Sequence, residues 1–128
     1  MKRTSSGCTP IAVTMGEPAG IGPEITVRAL AARSLDDQPI IVIGDPELYR
    51  MTAKVLGVPI EVAEITSPEV AASLPPHVLP IISIPLEAPV TTGRLCIENA
   101  AAVISSIRIA VNMAMAGTVG AVVTNPIH

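Results

Sequence analysis

The sequence predicts an α/β fold in which a mostly parallel sheet is flanked by helices. Short runs rich in β-branched residues alternate with longer segments of helical periodicity, and glycine- and proline-rich turns separate them. Strands that alternate with helices favour a parallel sheet with right-handed crossovers. The chain has 128 residues, 49% of them hydrophobic, which is enough for one core because domains have roughly 100–200 residues.

The first strand is predicted at residues 11–15, a short apolar run, and a glycine-rich turn at residues 16–22 follows it. A helix then begins at Pro23, because the first helical position does not need the N–H that proline lacks. Glu24 suits the positive end of the helix dipole. We expect this helix to end near residues 34–37.

Residues 40–43 form a continuous β-branched run, which is typical of a parallel strand buried on both faces. Asp45 is predicted to cap the second helix, with Pro46 at its first position. Gly57 is predicted to end that helix, and residues 60–65 to form a third strand.

Prolines interrupt residues 66–80, so this part is predicted to be a loop with a single helical turn. Residues 78–84 are predicted to be extended. Residues 85–93 are predicted to form another proline-containing connection.

The longest helix is predicted to run from Arg94 or Glu98 to about Ala116, with Gly117 as its cap. One face of this helix is predicted to carry Val103, Ile107, Ala110, Val111 and Ala114. A last buried strand is predicted at residues 120–124. The element order is therefore β-α-β-α-β-loop-β-α-β.

Charge and aromatic content argue against binding to nucleic acid. Eight Lys and Arg residues stand against eleven Asp and Glu residues, a formal net charge of −3, so the basic surface needed for counterion release is lacking. Tyr49 is the single residue among Phe, Trp and Tyr, which removes the stacking platforms of single-strand binders.

Cys8 and Cys96 lie far apart without a CxxC spacing, so neither a disulfide framework nor a zinc site is indicated, and a cytoplasmic location is expected. The N-terminus lacks the apolar run of a signal peptide. Residues 100–123 carry Arg108 as their single charge and have the length of a membrane span. Asn112 and two later glycines divide this segment into a helix and a strand, so no membrane partner is expected.

Two turns at the predicted carboxyl edge of the sheet hold the candidate binding residues. The first contains Gly16, Glu17, Gly20 and Gly22. Its glycines allow close backbone approach and its amides lead into a helix N-terminus, which suits an anion or a nucleotide. It matches neither the GxGxxG fingerprint nor a Walker A loop. A tight turn without a ligand is the alternative.

The second turn contains Thr124, Asn125 and His128. A hydroxyl, an amide and an imidazole placed together just after a strand suit a polar substrate. The alternative is an Asx-type turn with an exposed terminal histidine.

Other residues have simpler structural explanations. His77 is expected to be a surface histidine, because a metal site needs partners at set spacings. Glu98 and Asn99 are expected to cap the long helix. Met113 and Met115 are expected to fill the core.

Three segments resemble the 4-hydroxythreonine-4-phosphate dehydrogenase family, in the same order along the chain. They are IAVTMGEPAGIGPE at residues 11–24, APVTTGRL at residues 88–95 with ENA at 98–100, and VTNPIH at residues 123–128. The GIGPE core also resembles a turn of the isocitrate and isopropylmalate dehydrogenases, which implies a fold like theirs.

The resemblance implies NAD-dependent oxidation and decarboxylation of 4-phosphooxy-threonine, a phosphorylated hydroxy acid, in pyridoxal phosphate (vitamin B6) biosynthesis. It implies a cofactor near residues 16–22 and a substrate near Thr124, Asn125 and His128. It also implies a homodimer of the full-length protein. A divalent metal such as zinc, magnesium or cobalt would be bound by three histidines shared across that dimer and would act as a Lewis acid.

Family members are more than twice as long as this chain, and their metal-binding histidines lie beyond residue 128; neither His77 nor His128 matches one. We therefore expect residues 1–128 to form a single partial α/β domain, the N-terminal part of a larger dehydrogenase, and to be inactive alone. Dehydrogenases of threonate or erythronate 4-phosphate, or of aromatic dihydrodiols, share the GIGPE opening. A non-catalytic fragment or binding module is the other alternative.

Overall fold

A five-stranded parallel sheet forms the centre of the computed structural model, which describes residues 9–33 and 38–128. The strands lie in the order β3-β4-β2-β1-β5, and each adjacent pair is parallel. Their bounds are β1 Ile11–Thr14, β2 Ile40–Gly44, β3 Glu61–Glu64, β4 Val78–Ser83 and β5 Ala121–Val123. The predicted α/β class is confirmed.

In the described part of the chain, three α-helices connect the strands: α1 (Gly22–Ala31), α2 (Pro46–Leu56) and α3 (Ala100–Met115). Short 3₁₀ turns at Pro68–Ser73 and Ile97–Asn99 precede β4 and α3. α1 ends at Ala31, and the predicted stop at residues 34–37 lies outside the described residues, as does Cys8.

Local chemistry sets the bounds of α2 as predicted. The Asp45 carboxylate accepts a hydrogen bond from the Glu47 amide at 2.8 Å, and Pro46 occupies the first turn. Gly57 ends the helix in the left-handed conformation, with φ of 67°, which glycine adopts without a Cβ penalty.

The crossovers place helices on both faces of the sheet. The connection from β1 to β2 crosses the sheet in one direction, and the connection from β4 to β5 crosses it in the opposite direction. Right-handed connections therefore put α1 and α2 on one face and α3 on the other. Tyr49 of α2 is fully buried in the first of the two resulting cores, and burial raises the pKa of its hydroxyl above the ordinary value.

The last strand differs from the prediction. β5 lies at the edge of the sheet beside β1, and its residues are exposed or half-buried, with Val123 49% exposed. Apolar sequence alone does not distinguish an edge strand from a central one, because both are rich in β-branched residues.

The buried face of α3 differs in part from the prediction. Ala102, Ser106 and Ala110, four residues apart, are its buried residues, so Ala110 is buried as predicted. Met113, predicted to fill the core, packs half-buried against it, whereas Val111 is 46% exposed and Met115, also predicted to fill the core, is 84% exposed. Small side chains allow the helix to lie close to the sheet, and apolar residues on several sides of α3 leave only a weak periodicity to mark its inner face.

Among the described residues, no helix combines the length and the apolar character that crossing a bilayer requires. The apolar segment near the end of the chain is α3 followed by β5.

Candidate functional site

The two predicted binding turns meet at one edge of the sheet. β1 and β5 are parallel neighbours, with Val13 beside Val123, so the turn after β1 and the turn after β5 leave the sheet at the same carboxyl edge. The Glu17 amide donates a hydrogen bond to the Pro126 carbonyl oxygen at 2.8 Å. We call this side of the molecule the carboxyl rim.

Asn125 joins three parts of the rim. Its side chain is buried, and its Nδ2 group donates to the Thr14 carbonyl oxygen and to Thr26 Oγ1, both at 2.9 Å. Its backbone amide donates to Thr14 Oγ1 at 3.1 Å. The ends of β1 and β5 and the first turns of α1 are therefore held together by a single amide side chain.

Gly16 and Gly22 lie where a side chain would clash with the surrounding turns. Gly16 has φ of 72°, and a Cβ there would come within 2.7 Å of the Asn125 Cβ and the Pro126 carbonyl oxygen. A Cβ at Gly22 would lie 2.9 Å from the Met15 carbonyl oxygen. Real Cβ atoms do not come this close, so Gly16 is required by packing between the two turns and Gly22 chiefly by the Met15 carbonyl oxygen of its own turn.

The other predicted residues of the rim are more open. The Glu17 carboxylate is half-buried and accepts from the Ala19 amide at 3.0 Å, within its own turn. Gly20, Thr124 and His128 are exposed. The structure thus brings all seven predicted residues to one rim and gives Asn125, Gly16 and Gly22 structural contacts within it.

A cleft of about 570 Å³ opens next to the glycine turn. β2 continues into α2 on one face and β4 leads to α3 on the other, and such divergence of adjacent strands creates a ligand crevice in α/β sheets. The cleft is lined by Pro18, Gly20, Pro23, Glu24, Asp45, Glu47, Leu48, Met51, Thr52, Val55, Leu56, Leu86, Glu87, Ala88, Pro89, Val90 and Thr92.

The cleft has apolar walls and acidic edges. Its charged lining residues are Glu24, Asp45, Glu47 and Glu87. Glu24 pairs with Arg28 at 3.2 Å and Glu47 pairs with Arg50, so part of this negative charge is neutralised. Apolar walls with a few polar groups suit the ring systems and hydroxyls of an organic ligand.

Two buried polar residues on or next to α3 support the rim and were not predicted to do so. Ser106 Oγ donates to the Ile43 carbonyl oxygen at 2.6 Å and accepts from the Met15 amide at 2.9 Å. Asn99 is buried and makes no cap hydrogen bond to α3, contrary to the prediction. The one sequence signal that could have predicted this supporting role is a polar residue on the buried face of a helix. That signal is useful only when the buried face of the helix has been identified correctly.

The remaining candidates lie on the surface. His77 is exposed, as predicted, with its Nε2 atom 3.9 Å from a Glu61 carboxylate oxygen. The Cys96 thiol donates to the Glu98 carboxylate at 3.0 Å, which raises the pKa of Cys96 and lowers the pKa of Glu98. Within residues 9–33 and 38–128, no three His, Cys, Asp or Glu side chains are grouped so as to hold a metal ion.

Comparison with known sequences gives consistent relatives. Residues 36–128 match the family described as pyridoxal phosphate biosynthetic protein PdxA. A 4-hydroxythreonine-4-phosphate dehydrogenase from Methylorubrum extorquens is 43% identical over 121 residues, covering 92% of this chain and 34% of that protein. This chain therefore spans about a third of the length of the curated relatives it matches.

Solved structures resemble the fold closely. A 4-hydroxythreonine-4-phosphate dehydrogenase from Klebsiella pneumoniae has a TM-score of 0.84 and 34% identity, covering 94% of this chain and 38% of that one. A terephthalate 1,2-cis-dihydrodiol dehydrogenase from Burkholderia xenovorans has a TM-score of 0.64 and 28% identity, covering 90% of this chain and 33% of that one.

Proposed function

Because this chain belongs to the PdxA family of pyridoxal phosphate biosynthetic proteins, we propose that it is the N-terminal part of an NAD-dependent 4-hydroxythreonine-4-phosphate dehydrogenase. The longer protein oxidises and decarboxylates 4-phosphooxy-threonine and acts as a cytoplasmic homodimer. In this proposal residues 1–128 are one partial α/β domain that supplies one side of the active site.

The observation that carries the proposal is the meeting of the two turns at the carboxyl rim. The Glu17 amide bonds to the Pro126 carbonyl oxygen, and the cleft opens on the other side of the same turn, beside Gly20. A redox enzyme must hold a cofactor and a substrate next to each other, and this rim offers an open polar corner beside an apolar cleft.

The described residues fit the rings and ribose hydroxyls of a nicotinamide dinucleotide in the cleft, whose charged lining residues are all acidic. The apolar walls would contact its rings, and carboxylates such as Glu87 are suitable acceptors for ribose hydroxyls. Gly20 would allow the cofactor to approach the backbone, and Glu17 would hold the turn through its bond to Ala19. When bound, NAD accepts the hydride, and the protein's part is to bind and orient it.

The substrate side of the proposal uses the exposed end of the rim. Thr124 and His128 present a hydroxyl and an imidazole to a phosphorylated hydroxy acid, and both side chains are exposed. Asn125 lies between them in sequence and fixes the backbone that carries them, because its amide group binds Thr14 and Thr26.

The metal of the longer protein is assigned no ligand in this chain. The described residues hold no suitable group of three His, Cys, Asp or Glu side chains.

A dehydrogenase of a related substrate is the second candidate. The resemblance to the terephthalate dihydrodiol dehydrogenase favours it, since the same fold also serves a dihydrodiol substrate there. The TM-score of 0.64 against 0.84 for the Klebsiella structure makes the phosphorylated hydroxy acid our first choice.

The test is a chimera in which residues 1–128 replace the matching N-terminal third of the Methylorubrum extorquens relative. With 4-phosphooxy-threonine, NAD and a divalent metal, we expect NADH formation within about tenfold of the parent rate, a barrier difference of about 1.4 kcal/mol or less. Residues 1–128 alone serve as the control and should form no NADH.

A folded chimera without activity, beside an active parent, would refute the proposal. Turnover by residues 1–128 alone would refute the claim that they are a partial domain. Faster turnover of an aromatic dihydrodiol than of 4-phosphooxy-threonine would favour the second candidate instead.

A further inference from the structure

One wall of the cleft is the loop at residues 86–93, which connects β4 to the 3₁₀ turn before α3. Residues of this loop that line the cleft are Leu86, Glu87, Ala88, Pro89, Val90 and Thr92. The loop lies outside the named strands and helices, so contacts with neighbouring elements must hold its conformation.

Both ends of the loop are attached to other parts of the rim. The Asp45 carboxylate accepts from the Leu86 amide at 2.8 Å, with its other oxygen on the α2 cap. The Gly93 amide donates to the Ala19 carbonyl oxygen at 2.8 Å, which joins the loop to the glycine turn. Between these two points the loop passes along the cleft.

Asn99 holds the middle of the loop. Its Oδ1 accepts from the Ala88 amide at 2.9 Å, and its Nδ2 donates to the Ala88 carbonyl oxygen at 3.1 Å. The side chain is only 3% exposed. Both backbone groups of Ala88 are thus bound by one amide, and this requires a side chain with a donor and an acceptor together, as in asparagine.

We propose that Asn99 is a positioning residue that fixes the cleft wall through Ala88 and thereby sets the affinity of the cleft for its cofactor. The inference rests on the proposed function in one respect, since NAD is taken as the ligand. Asn99 itself lies behind the wall, because its polar atoms are bound to the loop and it is absent from the cleft lining.

The test compares Asn99→Ala with Asn112→Ala in the chimera. Asn112 is an exposed asparagine on α3, so its replacement makes the same chemical change away from the loop. We expect Asn99→Ala to raise KM for NAD about tenfold with kcat within about twofold, because it removes binding geometry and no reacting group. Amide hydrogen exchange across residues 86–93 should become about tenfold faster, and Asn112→Ala should change neither quantity.

Asn99→Asp is a second variant in case Asn99→Ala does not fold. It keeps the oxygen that accepts from the Ala88 amide but loses the donor to the Ala88 carbonyl oxygen, and should raise KM in the same direction. Unchanged KM and unchanged loop exchange in a folded Asn99 variant would overturn the proposal. If the parent binds NAD and the wild-type chimera does not, the proposed function fails instead, and loop exchange alone then decides whether Asn99 holds the wall.

Discussion

At the scale of single residues, the carboxyl rim depends on buried polar side chains that bind backbone. Asn125 and Ser106 contact segments that are distant in sequence, Asn99 contacts the loop 11 residues before it, and all three are buried. A buried polar group without a partner costs about 1–3 kcal/mol, so these contacts specify how the turns are arranged as well as stabilising them.

Two glycines of the turn allow its packing and its approach to the cofactor to be tested separately. Gly22→Ala would place a Cβ 2.9 Å from the Met15 carbonyl oxygen, and overpacking of this kind costs about 1–3 kcal/mol. In Gly20→Ala the new Cβ would lie 3.3 Å from the Glu17 carbonyl oxygen, which is a milder contact. Gly20 is exposed and lines the cleft. Thermal unfolding of the chimera should show a lower Tm for Gly22→Ala, whereas NAD titration should show weaker binding for Gly20→Ala.

The reverse pattern would contradict this assignment of the two glycines. A Gly22→Ala variant with an unchanged Tm would mean that Gly22 is not packed against the Met15 carbonyl oxygen as described. A Gly20→Ala variant with unchanged NAD affinity would remove Gly20 from the proposed cofactor site.

At the scale of elements, the sequence predicted what local chemistry decides. α2 begins after Asp45, at Pro46, and ends at its cap Gly57 as expected, because capping needs only neighbouring residues. The exposure of β5 and the inner face of α3 depend on which strands are neighbours, and local pattern carries no such information. Asn99 was misassigned for the same reason, since Ala88 is its partner only in the folded chain.

Ser106 fastens α3 to the carboxyl ends of two strands. Ser106→Ala would leave the Ile43 carbonyl oxygen and the Met15 amide without this buried partner, and we expect a loss of about 1–3 kcal/mol in unfolding free energy. Chemical denaturation of the chimera measures this unfolding free energy. Ser105→Ala, at the adjacent and only half-buried serine, is the matched control and should cost less; equal losses would show that the hydrogen bonds of Ser106 are not the cause.

At the scale of the whole molecule, strand order explains why the site lies where it does. The order β3-β4-β2-β1-β5 places the glycine turn between the β5 corner on one side and the β2–β4 crevice on the other. The sequence predicted that both turns lie at one edge of the sheet, because both follow parallel strands, but not that β1 and β5 are neighbours. It did not predict the cleft, since that required knowing that β2 and β4 are adjacent and that their connections diverge.

The most direct measurement is the position of NAD in a crystal structure of the chimera. We predict that the cofactor lies in the cleft between Gly20 and residues 86–92, with its reactive ring toward the corner that carries Thr124 and His128. Density for NAD at a site that touches neither the glycine turn nor this loop would contradict the account.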